Sequence, residues 1–148
     1  MAGPRWRQKG TVCLWRFSPH GGWSAWQMAA DKEACDAIIE LLNIMRAVAA
    51  REAVAGTMAV SKPSSSLIDG VRRGYRRPIE TVSLFQIRTE PDYPADHWIM
   101  SLDESTLTLA IGSGYFSKLE KSMEEIRDGP GDFSIGKRRQ WSLMFWRL

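Results

Sequence analysis

Apolar and polar positions alternate most cleanly between His97 and Ile111. Trp98, Met100 and Leu102 interleave with His97, Ile99 and Ser101. After Asp103-Glu104-Ser105 the period returns, with Leu107, Leu109 and Ile111 against Thr106, Thr108 and Ala110. Period two puts alternate side chains on one face, so this stretch predicts a β-hairpin with one buried face. Gly112-Ser113-Gly114 leads into a helix in which Phe116, Leu119, Met123 and Ile126 form one stripe, while Lys118, Glu120, Lys121, Glu124 and Glu125 face water. Gly129 and Pro130 end it. Phe133 and Ile135 predict a short strand. Trp141 to Leu148 predicts a last one with large apolar residues on both faces, the mark of a strand that is central or covered on both sides.

The N-terminal half is less regular. Val12 to Phe17 is a β-prone run that stops at the turn formers Ser18-Pro19-His20-Gly21-Gly22. From Asp31 to Ala55, Ala34, Ile38, Leu41, Leu42, Met45, Val48 and Ala49 recur at helical spacing, with Asp36, Glu40, Asn43 and Ala47 opposite. Asp31 suits the N-cap and Gly56 the stop. Residues 57–60 suggest a brief strand, residues 61–78 a long basic loop, and Thr81 to Arg88 a strand that halts at Glu90-Pro91-Asp92-Tyr93-Pro94. This order predicts an α+β protein: a single mixed or mainly antiparallel sheet with two amphipathic helices packed on it. At 148 residues the chain is expected to form one domain, 1–148, with residues 1–10 as a flexible basic tail.

Composition changes this picture in three respects. Seven tryptophans (Trp6, Trp15, Trp23, Trp26, Trp98, Trp141, Trp146) supply many large rings to be packed or used for contact. Two cysteines, Cys13 and Cys35, make neither a disulfide framework nor a zinc site and fit a reducing compartment. The first residues lack the apolar core of a signal peptide and no run is long enough to span a bilayer, so a cytoplasmic protein with no membrane partner is expected. The net charge of +3 is unevenly spread: residues 1–17, 62–77 and 137–147 each carry +4, while the two predicted helices carry −2 over 31–55 and −3 over 103–128.

Candidate chemistry is sparse. Of the two histidines, His20 lies among turn residues without a nucleophile motif. His97 follows Asp96, a neighbour able to hold an imidazole tautomer, but adjacent residues on a strand point to opposite faces. Cys13, Cys35, His20 and His97 lack the paired spacing of metal ligands, so no metal and no cofactor are expected. Gly112-Ser113-Gly114 stands where a phosphate cradle would, between strand and helix, yet without the P-loop lysine it reads first as a tight turn. The sharpest local feature is Arg72-Arg73-Gly74-Tyr75-Arg76-Arg77. Its guanidinium groups suit phosphates or the carboxylates of an acidic protein, and Tyr75 suits stacking or anchoring. Arg72, Arg73, Tyr75, Arg76 and Arg77 are therefore the candidate partner-binding residues. A nucleic-acid module would add Lys137, Arg138 and Arg139, although such domains usually carry more charge than +3. A small toxin or hydrolase using His97 is the third class.

The C-terminal pattern runs Trp98-Ile99-Met100-Ser101-Leu102-Asp103, Leu107-Thr108-Leu109, Gly112-Ser113-Gly114, Leu119, Ile126, Gly129, Gly131-Asp132-Phe133-Ser134-Ile135-Gly136 and Leu143-Met144-Phe145-Trp146. It resembles the small bacterial immunity proteins encoded beside contact-dependent or type VI secretion toxins, over about the last 52 residues. The resemblance implies a non-enzymatic protein that binds a toxin and blocks its active site, with no shared catalytic residues. Many such proteins are acidic. This chain, with a pI near 9.1, departs from that pattern, which argues against a nuclease toxin.

Overall fold

The computed structural model describes residues 5–17, 25–72, 78–129, 133–135 and 142–148, with backbone alone at 70–72 and 133–135. Among these described residues nine strands and three α-helices follow in order: β1 (Val12–Phe17), β2 (Trp26–Ala30), α1 (Lys32–Val48), β3 (Val54–Ala59), α2 (Ser65–Arg72), β4 (Ile79–Thr81), β5 (Leu84–Thr89), β6 (Trp98–Asp103), β7 (Thr106–Ile111), α3 (Phe116–Asp128), β8 (Phe133–Ile135) and β9 (Leu143–Arg147). A 3₁₀ turn, Ser113–Tyr115, leads into α3. No helix among the described residues is long and apolar enough to cross a membrane.

The strands form two sheets, not the single sheet expected. The first has the order β4-β1-β2-β9-β8 and the second β3-β5-β7-β6. Parallel pairs join β2 to β9 and β5 to β7, and the other pairs are antiparallel. The physical reason lies at two places where the chain changes sheet within one β-prone run. Thr81 to Arg88 reads as one strand, but Thr81 ends β4, which pairs with β1, while Leu84 to Arg88 belong to β5, which pairs with β3 and β7. Between them Val82 is buried and Ser83 N–H donates to Ser105 O. After β3, Val60 N–H still donates to Ser83 O in the second sheet, whereas Ser61 N–H donates to Val12 O in the first. Such a switch satisfies the backbone on both sides and leaves no mark in the hydrophobic pattern.

Asp31 caps α1, its Oδ1 accepting from Ala34 N–H at 2.9 Å. The helix ends at Val48 rather than reaching Ala55, and Ala49 N–H returns to Met45 O. The alanines beyond suit a helix, but residues 54–59 gain a full ladder to β5 instead. Gly56 is accordingly a strand residue and not the helix stop: a Cβ there would sit 2.5 Å from Leu41 Cδ1, because α1 rests directly on β3. Residues 61–78, expected as loop, contain α2. Ser64 caps it, with Leu67 N–H donating to Ser64 Oγ at 3.1 Å. The predicted hairpin is present with Met100 opposite Leu109, but its buried face fades along β6, where Trp98 is buried, Met100 half-buried and Leu102 exposed; the α3 stripe of Phe116, Leu119, Met123 and Ile126 is buried. β9 lies between β2 and β8, as large residues on both its faces anticipated.

The inner faces of both sheets and the apolar stripes of α1 and α3 converge on one core. Arg127 ties the two helices together, its guanidinium 2.7 Å from both Asp36 and Asp128. A smaller cluster lies on the opposite face of the first sheet, where Cys13, Trp15 and Ala29 meet Leu67 of α2, Ile79 of β4 and Trp146 of β9. The first sheet is therefore covered on both faces. Among the described residues the second buries mainly one face; Thr57, Gln86, Thr108 and Ser101, aligned across its four strands, stay half-buried or exposed on the other, where Ala110 is buried.

Candidate functional site

The arginine-rich motif begins at the last residue of α2, Arg72; Arg73, Tyr75, Arg76 and Arg77 lie outside the described residues, as do His20 and Lys137, Arg138 and Arg139. The elements on either side of the motif are anchored, since Leu67 of α2 and Ile79 of β4 both pack on the outer face of the first sheet.

His97 stacks on Tyr93 with ring centroids 4.1 Å apart. Gly112 and Gly114 do not form an anion cradle. Their N–H groups donate to His97 O and Ala95 O at 2.9 Å, and a side chain on Gly112 would overlap Pro94 O. The glycines serve a close backbone approach that holds the 90–97 loop against the start of α3. Cys13 and Cys35 are buried free thiols. Burial first, then nearby aspartates, pushes both upward, Cys35 to about 11, so both stay protonated and unreactive at neutral pH. Among the described residues no three His, Cys, Asp or Glu side chains converge as a metal site.

What the fold does assemble is a groove of about 570 Å³ between the C-terminal end of α1, the turn after β5 and the start of α3. Ala49 and Ala50 line it from the end of α1, and Ser113 and Ser117 from the start of α3. Arg46 reaches across from α1. Its guanidinium is 2.9 Å from Glu120 of α3 and 5.8 Å from the centre of the Phe116 ring. The third wall carries Glu90 and Tyr93, with Arg88 3.4 Å from Glu90. The phenol of Tyr93 is pushed above its ordinary range by burial and by its hydrogen bond to Glu90, so it remains a donor. A mixed concavity of this size, lined by an arginine, a half-buried tyrosine and two serines over the buried Phe116, suits one or two side chains projecting from another protein.

Neither Arg46 nor Tyr93 stood out in the sequence, because the walls come from segments near 46–50, 89–93 and 113–117 that only the fold unites. One signal was available. Between Arg88 and Lys118 there is no lysine or arginine, while Glu90, Asp92, Asp96, Asp103 and Glu104 supply five carboxylates. No family model matches the sequence, and no curated protein is significantly similar to it.

Proposed function

We propose that the chain is a non-enzymatic binding protein, specifically a cytoplasmic bacterial immunity protein that binds and neutralises a cognate toxin. The groove carries this reading: over the buried ring of Phe116 it presents Arg46 and Tyr93, residue types enriched where protein interfaces concentrate their binding energy. The resemblance of residues 97–148 to immunity proteins supports it, since that stretch supplies one groove wall. The segment Arg72 to Arg77 is a second contact, suited to carboxylates on the toxin.

The test pairs this chain with the product of the gene beside its own. Co-expression should relieve the growth arrest that product causes, and calorimetry should show a complex. Arg46→Glu or Tyr93→Ala should weaken it at least about 30-fold, the usual size of a lost anchor. No rescue together with no complex would sink the reading. Full affinity in both variants would remove the groove from it.

A further inference from the structure

Residues 5–11 bring to the outer side of β3 a side chain that stands in for a strand. β3 is an end strand of the second sheet. In an antiparallel strand each residue turns its N–H and C=O to the same side, and the side alternates. Val60 N–H reaches Ser83 in the second sheet, whereas Ser61 N–H turns the other way, to Val12 of β1. By the same alternation Ala55, Thr57 and Ala59 turn their backbone groups away from β5. At Ala59 the Gln8 amide meets both: Ala59 N–H donates to Oε1 at 2.8 Å, and Nε2 donates to Ala59 O at 2.7 Å. A primary amide carries the donor and acceptor of a peptide group, so Gln8 fills the place a neighbouring strand would take.

The segment is fastened on either side of Gln8. Trp6 packs half-buried against the core, and its indole N–H donates to Ala37 O of α1 at 2.7 Å. Gly10, at φ +73°, passes so close to α1 that a Cβ would overlap Asp31 and Ala34. Thr11 N–H then donates to Asp31 Oδ2 at 3.0 Å, and Asp31 N–H to Thr11 O at 3.2 Å. Both Gln8 bonds are exposed to solvent, so water competes for them.

The edge under Gln8 is complementary to itself. Residues 53–61 carry no charge and no proline, so nothing of their own blocks further pairing. Glu52 and Lys62 bound them, both exposed and equidistant from Thr57. Neither is in an ion pair among the described residues, and Arg51 turns its guanidinium back to Ala47 O at 3.5 Å. Two β3 strands paired antiparallel about Thr57 set Ala55 of each copy opposite Ala59 of the other. The same register brings Glu52 of each towards Lys62 of the other, so opposite charges meet at both ends. A parallel pair would set like against like. Ser61 is already held by Val12, which confines the shared ladder to residues 55–59. Within it Gln8 takes the bonds that Ala55 of a second copy would make. We propose that residues 5–10 are a strap that stoppers the edge of β3, and that displacing Gln8 opens this edge to β3 of a second copy, giving a two-fold dimer. The inference goes beyond the immunity reading and does not depend on it.

Sedimentation equilibrium compares the full chain with Gln8→Ala and with the double variant Trp6→Ala, Gln8→Ala, each checked for folding by near-UV circular dichroism. Loss of Gln8 should raise the association constant at least about tenfold, with slowed amide exchange at Ala55, Thr57 and Ala59 in the dimer. In the Gln8→Ala background, Glu52→Lys should lower association about fivefold, and adding Lys62→Glu should restore it. A second measurement needs no double variant: a synthetic peptide of residues 52–62, titrated into the isotopically labelled chain, should bind Gln8→Ala at least about tenfold more tightly than the unchanged chain. The inference is overturned by equal association with and without Gln8, by protection away from β3, or by indifference to the charge swap. It is also overturned if the peptide binds neither chain, or if the unchanged chain already pairs through β3 with Gln8 in place.

Discussion

The two sheets share one core yet obey different rules, and the difference lies in how many faces each buries. Every residue of β2 is buried, as are five of the six in β1, because α1 and the main core lie on one side while α2 and Trp146 lie on the other. In the second sheet, β3 and β5 alternate buried with half-buried or exposed positions along their whole length. A sheet covered on both faces tolerates little; one open on a face has a surface to spare for a partner.

The largest expected effect breaks that comparison most directly. Trp15 is fully buried on the outer face of the first sheet, so Trp15→Ala should cost about 3–5 kcal/mol in urea denaturation. Thr108→Ala, on the outer face of the second sheet, should stay within about 0.5 kcal/mol. Comparable losses at both positions would show that the second sheet is also covered.

Alkaline pH gives the next effect. A thiol is neutral when protonated, so burial favours the protonated form and the folded state holds its proton longer than the unfolded chain. Stability present below about pH 9.0, where an unfolded cysteine begins to ionise, is lost as the pH rises through about 11, where Cys35 does. The loss should be on the order of 2–3 kcal/mol, and Cys35→Ala should flatten the dependence. Reaction of Cys35 with a thiol reagent at native speed near neutral pH would contradict its burial.

Gly56→Ala should cost about 1–3 kcal/mol, since Leu41 must retreat from the inner face of the second sheet, whereas Ala55→Val, half-buried on the outer face, should be close to neutral. The smallest effect has the opposite sign. Glu104, first residue of the hairpin turn, has φ +52°, a conformation that costs an L side chain and not glycine. Glu104→Gly should raise the melting temperature, corresponding to about 1 kcal/mol.

What was legible in the sequence follows from the same contrast. The β6–β7 hairpin and α3 could be read because half of each meets water, and alternation or a stripe records which half. β2 could not: Trp26-Gln27-Met28-Ala29-Ala30 is buried throughout and carries no period. α2 hid behind serines that read as loop, although Ser64 was its cap. The groove was invisible because Arg46, Tyr93 and Phe116 belong to three distant segments, and the Gly112-Ser113-Gly114 turn, in the right place for a cradle, spends its amides on Ala95 and His97.

By itself the sequence determined the α+β content, the hairpin, the buried stripe of α3, the Asp31 cap and the acidic stretch around β6, all of which depend on neighbours within one or two turns of chain. The tertiary structure alone decided that the strands divide into two sheets, that α1 stops at Val48 for β3 to begin, and that one edge of the second sheet is met by Gln8. A hydrophobic period records which face of an element meets the core. Which strand lies beside it is set by backbone pairing between distant residues, and backbone groups are the same at every position.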